Sequence, residues 1–238
     1  MQYLSAFGFF INGKGGFLNL LLLTLCQFIP IVGPIVIMGY CAEVSVALND
    51  DPDFRDHPRF TFDRFVEYLS RGVWPFLMRL TLVACLCLVI GAIVGIFVLT
   101  QPPQGNPPVA LLVVLPVVGL GMMILVAALT IPMSFHSELT GKYDLPGAYR
   151  FAWSFWSLMF VDAIVTSIVY SFFASFLSIV GFLCCFIGIY PMSTLLSLAS
   201  RHLMVQLYRH YLDSGGQPLE EKRLRKRDYD EDDEPLDD

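Results

Sequence analysis

The sequence predicts an all-α integral membrane protein with about six transmembrane helices, arranged as three hairpins, each preceded by an interfacial amphipathic helix. Three observations lead there. Residues 15–42, 80–135 and 163–200 contain no Asp, Glu, Lys or Arg, giving uncharged runs of 28, 56 and 38 residues. Turn-forming stretches divide these runs. The cations, finally, fall on one side of the resulting helix pairs. With 55% hydrophobic residues and a mean hydropathy of +0.63, the 238-residue chain lies far from soluble composition. A spanning helix needs about 20 apolar residues to cross roughly 30 Å of hydrocarbon, so the two longer runs each hold two spans.

The first run is the hardest to divide. Lys14 followed by "FLNLLLLTL" imitates a secretory leader, yet the apolar sequence continues through "IPIVGPIVIMGY" with no polar cleavage region. Pro30, Gly33 and Pro34 favour a tight hairpin, with spans near 17–29 and 32–48. A single kinked, tilted span over these residues is the alternative. The second run breaks at "TQPPQGNPP", residues 100–108, giving spans near 73–99 and 109–135. The third pivots around "VGFLCCFIG", giving spans near 158–182 and 185–208. The membrane domain is thus expected over 1–214. A charged tail, 215–238, ends in "DYDEDDEPLDD" and is expected to be mobile, because blocks of like charge repel.

The fifteen cations orient the chain. Lys14 precedes the first pair. Arg55, Arg59, Arg64, Arg71 and Arg79 follow it, Lys142 and Arg150 lie between the second and third, and seven come from Arg201 onward. With three hairpins, none of the opposite links carries a Lys or Arg, and the positive-inside tendency places both termini in the cytoplasm.

Two segments read as amphipathic helices ahead of a span. In "TFDRFVEYLSRGV", Phe62, Phe65, Val66, Leu69 and Val73 form one face, with Thr61 as N-cap and Asp63 in the first turn. In "DLPGAYRFAWSFW", Asp144 is the cap and Ala148, Phe151, Ala152 and Phe155 share a face. "YLSAFGFFINGKGG" is a weaker third copy, and "IPIVG" and "LPVVG" echo one another inside the helix pairs, which implies an internal repeat.

With these segments placed, the chain resembles the prokaryotic family of multi-span membrane proteins called domain of unknown function 4013. The resemblance rests on "IPIVGPIVIMGY", "HPRFTFDRFVEYLSRGVWPFL", "ELTGKYDLPGAYRF" and "SRHLMVQLYRHYLDSGG", in that order, over most of residues 15–215. It implies a bacterial inner-membrane location and carries no activity, cofactor or site residue.

Candidate chemistry gathers at the cytoplasmic ends of the spans, in Glu43, Arg79, His136, Glu138, Asp162, Arg201 and His202. Ionisable groups in spans are costly unless paired, hydrated or able to snorkel to water. Two readings follow, structural ion pairs or a vestibule for a headgroup or ion. The expected pairs join Glu43 or Asp162 to Arg79 or Arg201. The stripe Thr166, Ser167, Ser171, Ser175 and Ser178 is expected to pack helices. The acidic loop "NDDPDFRDHPRF" lacks the ligand order of a calcium loop, and "NGKGG" lacks the Walker spacing. The six cysteines have no zinc-like spacing with His and read as packing residues.

No catalytic constellation is present. The sequence therefore points to a non-enzymatic scaffold that binds membrane lipids, a protein partner or further copies of itself, with no cofactor and no nucleic acid. A small transporter or channel using the polar cluster as its vestibule is the alternative.

Overall fold

A computed structural model describes residues 16–50, 58–100, 109–184 and 187–222, together with Tyr3, Ala6 and Phe7. Among these residues the chain is helical and without strands. The helices are α1 (Gly16–Gln27), α2 (Val32–Asp50), α3 (Phe65–Thr100), α4 (Val109–Thr140), α5 (Leu145–Leu183) and α6 (Ile189–Asp213). The acidic loop beyond Asp50, the link at 101–108, Cys185, most of the third amphipathic copy and the end of the tail lie outside the described residues.

The 17–48 region forms two helices. Pro30 interrupts the apolar run, and Ile31, at φ 67°, turns the chain back. Asn19 of α1 then meets Tyr40 of α2, and Cys26 approaches Gly33, so the two run antiparallel. Buried Asn19 also organises the following loop. Its amide donates to the Pro58 carbonyl at 3.1 Å, and its oxygen accepts from the Phe60 backbone N–H at 2.9 Å. Buried polar groups of this kind need partners, and Asn19 supplies both ends of the exchange.

The segment 61–73 is not a separate helix. Thr61 has the extended backbone of an N-cap but makes no side-chain capping bond, and a 3₁₀ turn at Phe62–Arg64 leads straight into α3. With Pro75 inside it, α3 continues for 36 residues, about 54 Å of rise. Its polar stripe is divided: Asp63, Glu67 and Ser70 are exposed, and the two arginines turn inward. Arg64 and Arg71 are buried, while Phe62 and Val66 from the expected apolar stripe are exposed. Beside lipid this orientation is favourable, since apolar side chains lose nothing by facing outward and charged ones gain partners inward.

The helix α5 matches its expected start closely. Asp144 accepts a bond from the Gly147 N–H at 3.1 Å, and Ala148, Phe151, Ala152 and Phe155 are all buried. At Met159 the backbone leaves helical geometry (φ −112°, ψ 16°), so α5 kinks after its first 14 residues. Its second part lies antiparallel to α6, with the Tyr170 hydroxyl donating to the Leu196 carbonyl at 3.2 Å. "IPIVG" and "LPVVG" differ in structure: the first forms the turn into α2, whereas the second lies within α4. Of the hydroxyl stripe on α5, only Thr166 is buried, so the serines do not pack helices.

Burial divides the molecule. α2, residues 132–140 of α4, the first part of α5 and residues 198–211 of α6 form one packed end, with Tyr40, Tyr68, Phe135, Phe155, Tyr208 and Tyr211 at its centre. From Arg79 to Ile96 no residue of α3 is buried. Among the described residues, four helical segments are long and apolar enough to cross a membrane: Val32–Asp50, Phe62–Ile96, Gly119–Thr140 and Leu145–Leu183. Of the six spans expected from sequence, α1 has only 12 residues, about 18 Å, and α6 is too polar to meet the same measure.

Residues after α6 close over the packed end. The Leu219 N–H donates to the Tyr208 hydroxyl (2.8 Å), the Lys222 N–H to the Leu139 carbonyl (2.8 Å), and Lys142 pairs with Glu220 (2.8 Å). The charged segment expected from residue 215 is thus docked through Lys222.

Candidate functional site

α3 carries Arg79 to the edge of the packed end, while α4 and α6 bring Glu138 and Arg201 to meet it. Glu138 has no solvent exposure; its two oxygens lie 3.0 Å from Arg201 Nη1 and 3.9 Å from Arg79 Nη2. Both arginines therefore address one carboxylate, Arg201 closely and Arg79 loosely. The Nε atoms of Arg79 and Arg201 have no hydrogen-bond partner among the described residues. Arg201 is buried, whereas about a third of the Arg79 side chain is exposed.

Two cavities adjoin this triad, and both arginines line both of them. One, of about 230 Å³, lies among α4, α5 and α6, with Ile131, Thr166, Ser167, Tyr170 and Met204 in its wall. The other, of about 340 Å³, lies against α1, α2 and the start of α6, with Gln27, Met38, Tyr190 and Ser197 in its wall. Walls that mix apolar surface with a few convergent polar groups are the usual make-up of a ligand site.

A second cluster joins α2 to the start of α3 and the 3₁₀ turn before it; in it Glu43 Oε2 and Arg71 Nε and Nη1 have no hydrogen-bond partner among the described residues. Glu43 accepts from Arg64 Nη1 at 2.6 Å, and Arg64 Nε donates to Glu67 at 2.8 Å, with the guanidinium 5.2 Å from the centre of the Tyr68 ring. Arg71 is buried beside it and reaches the Ala42 and Lys222 carbonyls at 3.5 and 3.3 Å. Arg209 donates to the Leu48 and Asn49 carbonyls at 2.7 and 2.8 Å, satisfying the C-terminal end of α2.

Of the seven expected site residues, Arg79, Glu138 and Arg201 come together. The acid is Glu138, not Glu43 or Asp162. Glu43 is held by Arg64, and Asp162 lies at the surface, 3.5 Å from His210 Nε2. Buried His136 packs against Phe151, and His202 Nδ1 is 2.8 Å from Gln206 Nε2. Sequence reasoning missed Arg64, Arg71 and Asn19 as interior polar residues. For the arginines the signal was their position on the stripe opposite an apolar face, which in a soluble protein would mean solvent.

No curated protein and no solved structure matches the chain. A family model described as protein of unknown function (DUF4013) matches residues 22–137, which include Arg79 and stop one residue short of Glu138. The pieces "ELTGKYDLPGAYRF" and "SRHLMVQLYRHYLDSGG" fall beyond the matched residues. Over residues 22–137, about half its length, the chain resembles that uncharacterised family.

Proposed function

We propose that this protein is a non-enzymatic lipid-binding scaffold of the prokaryotic inner membrane. The observation that carries this reading is the pairing of exposed apolar faces on α3, α4 and α5 with a half-open cavity edged by Arg79 and Arg201. That combination matches the two halves of a lipid, tails against the outer faces and a charged headgroup inside. Both termini lie in the cytoplasm in this reading, since Arg64, Arg71, Lys142, Arg209 and Lys222 all gather at the packed end. The helices enter as three antiparallel pairs, giving the six-helix arrangement, with short α1 reaching only part of the way across. Mild solubilisation followed by lipidomics and mass spectrometry tests the reading. Retention of phospholipid through delipidating washes supports it, and a protein recovered free of lipid defeats it.

A second reading, a small transporter or channel, is favoured by one observation: the arginine pair lines two cavities. In that reading the triad is a gate between vestibules. Anion flux into liposomes that is abolished by Arg79→Ala supports it. Background-level flux for both the native protein and the variant removes it.

A further inference from the structure

We infer that Arg79 and Arg201 form a binding site for a phosphate-type oxyanion, presented either as free phosphate or as a phospholipid headgroup. The first argument is charge. In the α2–α3 cluster two carboxylates accompany two guanidiniums: Glu43 and Glu67 both pair with Arg64, and Arg71 reaches backbone carbonyls. In the triad, two guanidiniums face one carboxylate, leaving one positive charge in excess at a place where Arg201 and Glu138 are buried. A buried charge is costly without a counter-charge, and a phosphodiester carries one negative charge.

The second argument is donor capacity. Each guanidinium has five N–H donors in a planar fork, whereas a carboxylate offers two oxygens. Glu138 lies 3.0 Å from Arg201 and 3.9 Å from Arg79, and neither of its oxygens has a hydrogen-bond partner among the described residues, so no donor of either fork is committed to it. The Nε–H groups of both arginines have no partner among the described residues. A tetrahedral oxyanion presents oxygens in several directions and so accepts from two forks arriving on different helices, a geometry a second carboxylate lacks.

The third argument is the enclosure. The 230 Å³ cavity is small for a whole lipid and suits a headgroup, with hydroxyls of Thr166, Ser167 and Tyr170 in the wall beside the arginines. Ile131, exposed on α4 beside the face where acyl chains would lie, and buried Met204 of α6 supply apolar surface to the same wall.

The inference rests on the lipid-binding reading only for the source of the ligand. The test uses full-length protein in nanodiscs and reads thermal unfolding and titrated affinity. Inorganic phosphate is added in phosphatidylcholine discs, with chloride at matched ionic strength as control. Separate discs of phosphatidylglycerol receive no added inorganic phosphate. Stabilisation by phosphate supports the site with a free-anion ligand, and stabilisation by phosphatidylglycerol supports it with a headgroup.

Arg79→Gln, which leaves the Arg201–Glu138 pair intact, weakens either interaction at least about tenfold. Glu138→Gln removes the internal competitor and tightens binding about tenfold, the opposite of what a purely structural ion pair gives. If Glu138→Gln does not fold, Arg79→Gln decides. No stabilisation by either probe, or affinities that Arg79→Gln leaves unchanged, overturns the site. Phosphate binding without any lipid effect keeps the site and removes the lipid reading; phosphatidylglycerol binding unaffected by Arg79→Gln keeps the lipid reading and removes the site.

Discussion

Gly72 of α3 rests on the Ile35 carbonyl of α2, and a Cβ in its place would overlap that oxygen. Gly39 makes the reciprocal contact with the Tyr68 carbonyl. The two backbones therefore touch, the close approach that small residues permit between helices in a membrane. Both obstructing atoms are backbone, so neither can swing aside. Gly72→Ala is expected to lower stability by about 3 kcal/mol, whereas Gly91→Ala, with open space around it, is neutral or slightly stabilising. Thermal unfolding of the purified variants checks the contrast; equal melting temperatures would disprove the contact.

The Glu43–Arg64 pair joins the same two helices at a buried position. Arg64→Met removes the cation from a buried carboxylate and is expected to cost about 3–5 kcal/mol. Glu43→Gln combined with Arg64→Met leaves no unpaired charge and recovers much of that loss. A double variant no more stable than Arg64→Met, measured by unfolding in the same detergent, would show that the charge is not the cause.

The segment after α6 contributes to the packed end. Leu219 packs against the core, and its N–H caps the Tyr208 hydroxyl. Truncation after Ser214 is expected to cost on the order of 3 kcal/mol, for one half-buried apolar side chain and several hydrogen bonds. Truncation after Lys222 leaves those contacts in place and is expected to be close to neutral. Comparing the two melting temperatures gives the result directly.

The exposed Lys142–Glu220 pair gives that segment a pH dependence. Its hydrogen bond to Lys142 holds the Glu220 carboxyl below the usual glutamate range, and the same bond raises Lys142. The contribution is therefore fully present above the ordinary glutamate pKa and fades as pH falls through the lowered value. It also fades as pH rises through the raised value of Lys142. Because both groups are in solvent, salt weakens it. Hydrogen exchange at residues 215–222 should quicken below the glutamate range and at high salt. Glu220→Gln should remove the acid-side response while leaving exchange elsewhere unchanged.

Orientation is testable with native thiols. Cys184 is exposed at the turn between α5 and α6, while Cys26 and Cys41 are buried. An impermeant maleimide applied outside intact cells is expected to label the native protein. It should leave unlabelled a Tyr143→Cys variant that lacks Cys184 and Cys185. Labelling at position 143 from outside would reverse the topology.

The sequence by itself determined that long, charge-free helices form, where the described pairs turn, and which residues start α5. Asp144 capping and the buried face of Ala148, Phe151, Ala152 and Phe155 are local consequences of spacing along one helix. It also placed Arg79, Glu138 and Arg201 in one short list. Only the tertiary structure decided that Glu138 is the shared acid, that Arg64 and Arg71 turn inward, and that residues 215–222 are docked. The reason is that pairing between helices depends on their mutual rotation and register. Where one side of a helix meets lipid and the other meets protein, both surroundings accept apolar side chains, so hydrophobic periodicity no longer tells the inside from the outside.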